Sequence, residues 1–216
     1  MFRFLITMVL ALLWSVSGAG NSHDMQRILV FGDSLSAAHG IDGDAGWVSL
    51  LEMRLSQRDP PWDVRNASVG GETTAGGRSR LSDLLDDTRP DVLILQLGGN
   101  DGLRGLSLRA MRENFEAMLD AADAAGAEVL LVGIEIPPNY GPVYTDRFRS
   151  VFSDLAAERD LAFIPFLLEG VALEPGMMLD DGIHPGAEAQ PRILENVWSE
   201  LEPMLERLEE ARPAAL

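Results

Sequence analysis

The sequence predicts an α/β protein, a three-layer α/β/α domain built on a parallel sheet of about five strands. Two observations predict this class. Apolar runs of strand length recur along the chain, and segments with helical spacing of their apolar residues lie between them. The strand runs are continuous rather than alternating, which is typical of strands that helices cover on both faces. The 216 residues, of which 46% are hydrophobic, suffice for one core.

Each predicted element follows from its own apolar pattern. Continuous runs predict strands over residues 27–31, 64–67, 91–97, 128–134 and 161–165. Helical spacing predicts buried helix faces between those strands at Trp47, Leu50, Leu51 and Leu55; at Leu81, Leu84 and Leu85; at Met111, Phe115, Met118, Leu119 and Ala122; and at Phe148, Phe152 and Leu155. A last helix, over residues 189–210, has an apolar stripe of Ile193, Val197, Leu201, Leu205 and Leu208.

Residues 1–19 are predicted to be a signal peptide. Arg3 precedes an apolar run over residues 4–14, and the small residues Ser17 and Ala19 occupy the −3 and −1 positions of a cleavage site. The apolar run is too short to span a bilayer. We therefore expect residues 20–216 to form a single domain that is periplasmic or secreted and has no stable membrane anchor after cleavage.

The composition excludes several kinds of chemistry. The chain has no cysteine, and hence no disulfide, thiolate nucleophile or cysteine metal site. It also has no lysine, which removes P-loop and Schiff-base chemistry. The formal net charge of −17 would repel polyanions, so we expect no nucleic-acid partner. No residue pattern predicts a metal site, and no cofactor is expected.

Four polar blocks mark the ends of predicted strands and the start of the last helix. Gly32-Asp33-Ser34-Leu35 ends the first strand, and residues 66–73 and 97–101 follow the second and third strands. Residues 180–185 precede the last helix. Parallel sheets bind ligands at the carboxyl ends of their strands, where the strand order reverses, so this pattern places Ser34 at the ligand-binding edge.

Acyl transfer needs a nucleophile, a base, a group that orients the base, and donors for the oxyanion. The chain contains three histidines as candidate bases. His23 lies just after the predicted cleavage site, where chain termini tend to fray. His39 lies on a helix expected after Ser34, and it would point away from the serine hydroxyl. Neither is the favoured base.

His184 is the candidate base because it lies in a loop near the ligand-binding edge. Asp181 stands three residues earlier, and the loop between them can fold back so that its carboxylate accepts from imidazole Nδ1. Asp180 is the alternative orienting carboxylate, with a spacing that is one residue longer. His184 also fits the role of a loop histidine beside an acid.

Ser34 fits two roles. Serine is a preferred helix N-cap, and a serine at a helix start can also be a nucleophile whose own N–H points at the oxyanion. Two further donors are available at the same edge. The Gly71 N–H can approach a substrate closely because no Cβ intervenes, and Asn100 offers a side-chain amide. Each of these two also fits a plain turn or a helix cap.

Taken together, the four blocks resemble those of the GDSL or SGNH family of serine esterases and lipases. The stretches NASVGGETTAGG, QLGGNDGLRG, IPPNYGPVY and LDDGIHPGAEAQP are similar to the bacterial periplasmic acyl-CoA thioesterase I, lysophospholipase and arylesterase branch. The resemblance implies a flavodoxin-like SGNH hydrolase fold in which Ser34, Asp181 and His184 are catalytic. It assigns the oxyanion hole to the Ser34 N–H, Gly71 and Asn100, and it implies that neither a metal nor a cofactor is required.

The loops after the third and fourth strands are the candidates for substrate binding. Their apolar residues either line an acyl groove or pack the loops. These residues are Leu103, Leu106, Ile136, Pro138 and Tyr140, and the loop before the last helix adds Met177 and Met178 as further candidates. The resemblance implies that the corresponding loops hold fatty acyl chains and that the first of them shifts on binding.

The expected function is hydrolysis of carboxylic esters, and of thioesters, that carry apolar acyl chains, through an acyl-enzyme on Ser34. The substrate is then a small-molecule acyl ester or thioester. One alternative is an O-acetyl carbohydrate deacetylase with the same catalytic residues, although only Tyr140 and Tyr144 would be near enough to form a sugar platform. The other is a non-catalytic periplasmic binding protein, which the complete set of catalytic residue types disfavours.

Overall fold

A five-stranded parallel sheet forms the centre of the domain. The computed structural model describes residues 25–211, so the predicted signal peptide lies outside the described residues. The strands are β1 (Arg27–Gly32), β2 (Asp63–Asn66), β3 (Val92–Gln96), β4 (Glu128–Val132) and β5 (Ala162–Ile164), in the order β2-β1-β3-β4-β5. All four pairings are parallel, as predicted.

Six α-helices surround this sheet in the described part of the chain. They are α1 (Trp47–Ser56), α2 (Thr74–Thr88), α3 (Gly99–Leu103), α4 (Leu108–Ala125), α5 (Pro142–Arg159) and α6 (Gln190–Glu210). Helix α1 packs against α6, whereas α2 packs against α4 and α4 against α5. The predicted three-layer arrangement is confirmed. No helix within residues 25–211 is long and apolar enough to cross a membrane.

The predicted helix faces form the core between these layers. The five residues predicted for α4 are all buried, as are the three predicted for α5. In the other three helices most of the predicted stripe is buried, and the residues at its margin are half-buried: Leu50, Leu84 and Leu208. Helical spacing therefore identified the packed faces with errors only at their edges.

Coverage on both faces was predicted for every strand, and this is wrong for the outer strands. In β2 only Val64 is buried, and in β5 only Ile164 is buried. Strands β1, β3 and β4 are buried over almost their whole length. An edge strand has a neighbour on one side only, so solvent reaches side chains that a central strand would bury.

The helix predicted directly after Ser34 does not form. A single helical turn begins, in which the Ala37 N–H donates to the Asp33 carbonyl oxygen at 3.0 Å. Ala38 then has a φ of 53°, and the left-handed backbone ends the turn. The next helical structure is a 3₁₀ turn at Gly43–Ala45. Ser34 is therefore neither an N-cap nor placed at the positive end of a helix dipole.

The strand order places the candidate site. Strand β1 has β2 on one side and β3 on the other, so the connections that leave β1 and β3 diverge to opposite faces. A crevice opens at such a switch point at the carboxyl ends of the strands. Ser34 follows β1 and Asn100 follows β3, so both residues lie at this crevice.

Replacing Gly133 with alanine should destabilise the fold. A Cβ at this position would lie 2.3 Å from the Pro165 carbonyl oxygen, and that backbone cannot move without disturbing β5. We expect a loss of about 1–3 kcal/mol in the free energy of unfolding, measured by urea denaturation. Gly43→Ala is the control, because nothing lies within 4 Å of the added Cβ there. Equal stabilities for the two variants would contradict this packing argument.

Candidate active site

Three side chains form a continuous hydrogen-bonded chain at the crevice. The Ser34 hydroxyl lies 2.9 Å from Nε2 of His184, and Nδ1 of His184 lies 2.7 Å from a carboxylate oxygen of Asp181. Because the carboxylate accepts from Nδ1, Nε2 has a free lone pair for the serine proton. The structure thus brings together the nucleophile, base and orienting acid predicted from the sequence, and it is Asp181 rather than Asp180 that contacts the imidazole.

The loop that carries His184 is folded by its own backbone. The Leu179 N–H donates to the His184 carbonyl oxygen at 2.8 Å, and the Gly182 N–H donates to the Leu179 carbonyl oxygen at 2.9 Å. Gly182 has a φ of 67°, which glycine adopts without steric cost. The fold-back places the Asp181 carboxylate beside the imidazole three residues later.

Asp181 is held in its ionised form. One of its oxygens accepts from the backbone N–H groups of Ile183 and His184, each at 2.9 Å, and the other accepts from the imidazole. Hydrogen bonds to a carboxylate favour the charged state, so the pKa of Asp181 lies well below its ordinary value. The His184 imidazole therefore faces an anion across the whole neutral range of pH.

Asp33 is a second, buried carboxylate directly before the nucleophile. It is 2% exposed, and burial raises its pKa to about 6, although hydrogen bonds from the Leu35 N–H and the Gln96 amide oppose that rise. The amide of Asn100 donates to it as well, at 3.3 Å. Asp33 therefore connects the end of β1 to the end of β3 and to the first turn of α3.

The two candidate oxyanion donors outside Ser34 lie on neighbouring elements. Asn100 is the second residue of α3, and its contact with Asp33 places its amide next to the nucleophile's own turn. Gly71 follows a segment attached to β1, since the Val69 N–H donates to the Gly32 carbonyl oxygen at 3.0 Å. Gly71 has a φ of 77°, so its backbone takes a conformation that a side chain would disfavour.

Two further side chains connect these donors, and the sequence analysis did not identify them. Asp101 is 3% exposed and accepts from Thr74, from the backbone N–H at 2.9 Å and from the hydroxyl at 2.6 Å. The Arg104 guanidinium donates to the Gly71 carbonyl oxygen at 3.0 Å. The segment with Gly71 and the helix with Asn100 are thus joined at two points. In the sequence, the acidic residue directly after Asn100 was the only sign of these contacts.

His39 does not point away from Ser34, contrary to the sequence expectation. Its ring packs on the ring of His184, with the centroids 4.3 Å apart and the planes inclined by 43°. The expectation failed because it assumed a continuous helix, whereas the chain turns aside at Ala38. The glycine at position 40 was the sign in the sequence that a helix would end here, and Gly40 has a φ of 78° in the structure.

An open groove of about 780 Å³ lies between the start of α4 and the start of α5. Of the predicted acyl-binding residues, Leu106 and Tyr140 line it, together with further apolar side chains, Leu108, Val143, Tyr144 and Val151. Leu103 lies beside it, and the Leu103 carbonyl oxygen accepts a hydrogen bond from the Tyr140 hydroxyl at 2.8 Å. Three arginines stand at the groove: Arg109, Arg112 and Arg147.

The other predicted acyl-binding residues lie outside this groove. Ile136 is buried and packs beneath Gly102, where an added Cβ would be 2.8 Å from its side chain. Pro138 is exposed at the start of a 3₁₀ turn, Pro138–Tyr140. Met177 and Met178 belong to the loop before α6, where Met178 pairs with Pro185. Within residues 25–211 no cluster of His, Asp or Glu is arranged to hold a metal ion.

A serine, a histidine and a carboxylate in hydrogen-bonded series, at the switch point of a flavodoxin-like sheet, are the arrangement of a serine hydrolase. Residues 30–191 match the GDSL-like Lipase/Acylhydrolase family, and the chain belongs to this family. The resemblance noted in the sequence is therefore confirmed. The protein is a carboxylic ester hydrolase of the GDSL type.

Similar proteins cover nearly the whole described region. "Esterase TesA" of Pseudomonas aeruginosa is 50% identical over 180 residues, which are 83% of this chain and 90% of that protein. "Thioesterase 1/protease 1/lysophospholipase L1" of Escherichia coli is 39% identical over 178 residues, 82% of this chain and 84% of that protein. The crystal structure of psychrotrophic esterase EstA from Pseudoalteromonas sp., inhibited by monoethylphosphonate, has a TM-score of 0.80 at 35% identity, covering 84% of this chain and 99% of that one.

The ionisation of Asp33 should leave a signature in stability. Its folded-state pKa of about 6 exceeds the ordinary value of 3.8, so the folded state binds this proton more tightly than the unfolded state does. The free energy of unfolding contributed by Asp33 should therefore fall as the pH rises from about 4 to about 7, by roughly 3 kcal/mol.

Asp33→Asn removes this ionisation, so the stability difference between wild type and variant should change by that amount over the same interval. Urea unfolding of both proteins at several pH values measures the difference, and contributions from groups that do not interact with Asp33 cancel. A difference that stays constant with pH would contradict the raised pKa.

Proposed function

We propose that this protein hydrolyses esters and thioesters of apolar acyl chains, with Ser34 as nucleophile, His184 as general base and acid, and Asp181 as the group that orients His184. The observation that carries the proposal is the hydrogen-bonded chain from Asp181 through His184 to Ser34, with both links at 2.7–2.9 Å. These separations lie within the range at which a base can take a proton from a hydroxyl.

The first half of the reaction forms an acyl-enzyme. The Ser34 oxygen attacks the acyl carbonyl carbon while its proton passes to Nε2 of His184. The Ser34 N–H, the Gly71 N–H and the Asn100 amide then donate to the oxyanion of the tetrahedral intermediate. The carbonyl reforms as the bond to the leaving group breaks, and His184 gives the proton to the departing oxygen or sulfur.

Water completes the second half. His184 takes a proton from a water molecule, the resulting hydroxide attacks the acyl carbonyl, and the Ser34 oxygen leaves and recovers its proton from His184. Asp181 remains ionised throughout and stabilises the imidazolium that forms twice in each turnover. All of these steps use side chains and backbone groups of this chain.

The apolar groove supports acyl chains longer than acetyl. Its lining is mainly apolar, and Leu106 in that lining donates its backbone N–H at 2.9 Å to the carbonyl oxygen of Asp101, the residue after Asn100 in α3. The names of relatives, which include esterase, thioesterase and lysophospholipase, support both esters and thioesters as substrates. A deacetylase of O-acetylated carbohydrates would not need such a groove, so we favour the longer acyl chains.

We also propose that the enzyme acts after export, in the periplasm or outside the cell. Residues 1–19 have the basic, apolar and small-residue order of a cleavable leader, and the absence of cysteine makes the chain insensitive to an oxidising compartment.

Ser34→Ala should lower kcat for p-nitrophenyl butyrate by several powers of ten, because the acyl-enzyme can no longer form. The free energy of unfolding should change little, since the hydroxyl is partly exposed and its hydrogen bond in the fold is with His184. Ser79→Ala is the matched control, because Ser79 is an exposed serine in α2 whose hydroxyl donates to a local carbonyl. Retention of most activity by Ser34→Ala would exclude this mechanism.

A series of p-nitrophenyl esters from C2 to C16 should show an optimum kcat/KM at C4 or longer. Leu106→Ala removes apolar contact in the groove, so it should lower kcat/KM about fivefold for long acyl chains and less for C2. Leu173→Ala serves as a comparison, because Leu173 is 98% exposed and lies outside the groove. An activity confined to C2 would instead support the deacetylase.

A further inference from the structure

We propose that His39 is a positioning residue for the catalytic base: its ring packs on the His184 imidazole and holds that imidazole in line with Ser34 and Asp181. This inference rests on the proposed function, because it concerns the histidine to which we assign the proton transfers.

Ring contact is the first observation. The two imidazole centroids are 4.3 Å apart, which is within the distance range of stacked aromatic pairs. The catalytic imidazole is hydrogen-bonded at both nitrogens, to Asp181 and to Ser34, and these bonds lie in its plane. They leave its faces free, so a ring packed on one face restricts the tilting that the two hydrogen bonds allow.

The backbone fixes this contact from both sides. On one side, the His39 N–H donates to the Ser34 carbonyl oxygen at 3.2 Å, and Ala38 is held at a φ of 53°. Non-glycine residues in that conformation cost about 1 kcal/mol and persist only where surrounding structure imposes them. On the other side, Gly40 packs against the Leu179 side chain, whose backbone N–H donates to the His184 carbonyl oxygen. Leu179 thus joins both histidine segments.

No other partner accounts for the position of the His39 side chain. Among residues 25–211 it forms neither a hydrogen bond nor an ion pair, and its ring contact is with His184 alone. The ring is exposed to solvent. Among the described residues, the contact with His184 is therefore the interaction that the His39 ring makes.

Several ionisable groups surround this pair of rings. The Asp181 carboxylate faces the Nδ1 edge of His184, and the buried Asp33 also interacts with His184 through its charge. The loop after His39 carries Asp42 and Asp44, of which Asp42 accepts from the Asp44 N–H. These carboxylates remain in place when His39 is replaced, so their effects are common to all variants at this position.

The chemical consequence follows from the geometry of proton transfer. His184 must keep Nε2 on the Ser34 oxygen and Nδ1 on the Asp181 carboxylate while it takes and returns the proton. A ring that restricts tilting of the imidazole keeps both bonds aligned, and a small misplacement of a reacting group costs rate.

The test compares kcat and KM of two variants at pH 8, with p-nitrophenyl butyrate as the substrate. His39→Phe keeps an aromatic ring at this position, and His39→Ala removes it. We expect His39→Ala to lose about tenfold in kcat and His39→Phe to lose less, about twofold, because a ring is restored. Glu174→Gln, a substitution at an exposed residue of the loop before α6, controls for the general effect of a surface change.

The division of the effect between kcat and KM separates a positioning role from a merely structural one. The KM of both variants should stay within about twofold of the wild-type value, because the loss lies in proton transfer rather than in substrate binding. His39→Phe should restore most of the kcat that His39→Ala loses, because it restores a ring against the His184 imidazole.

An unchanged kcat in His39→Ala, or a kcat in His39→Phe that falls as far as in His39→Ala, would overturn this proposal. Its failure is distinguishable from failure of the proposed function. If Ser34→Ala is inactive while the His39 variants behave as wild type, only the role of His39 is wrong. If Ser34→Ala remains active, the mechanism to which His39 contributes is itself wrong.

Discussion

One buried carboxylate, that of Asp33, holds the halves of this active site in a fixed relation. It lies between the turn that carries Ser34, the end of β3 and the first turn of α3, and it accepts a hydrogen bond from each of them. A buried charge is costly unless it is well hydrogen-bonded. The three donors therefore cannot drift apart without exposing the carboxylate to an environment that solvates it poorly, and this constraint fixes Ser34 relative to Asn100.

His184 is positioned in a different way. Asp181 and His184 belong to one short loop whose turns are closed by its own backbone hydrogen bonds, so their relative orientation is local. Only the docking of the whole loop depends on tertiary contacts, such as Leu179 against Gly40. A long-range network thus aligns Ser34 and Asn100, whereas short-range geometry aligns Asp181 and His184.

The sequence predicted those features that depend on local pattern. Apolar periodicity located the sheet and the buried helix faces, and the spacing of Asp181 and His184 predicted their hydrogen bond, which lies within four residues. Local patterns in the sequence could not predict features that depend on contacts between segments far apart in the chain. The exposure of β2 follows from its place at the sheet edge, the bond between Asp101 and Thr74 joins residues 27 positions apart, and His39 reaches His184 only because the chain turns at Ala38. Ile136 was assigned to the groove from its loop position alone, and packing placed it in the core.

The separation of Ser34 from His184 along the chain has a consequence for biosynthesis. The two residues are 150 positions apart, and they meet across the carboxyl edge of the sheet. A ribosome therefore produces Ser34 long before His184, and their hydrogen bond cannot form until the loop before α6 has been made. A chain that stops short of that loop would hold Ser34 without an imidazole beside it.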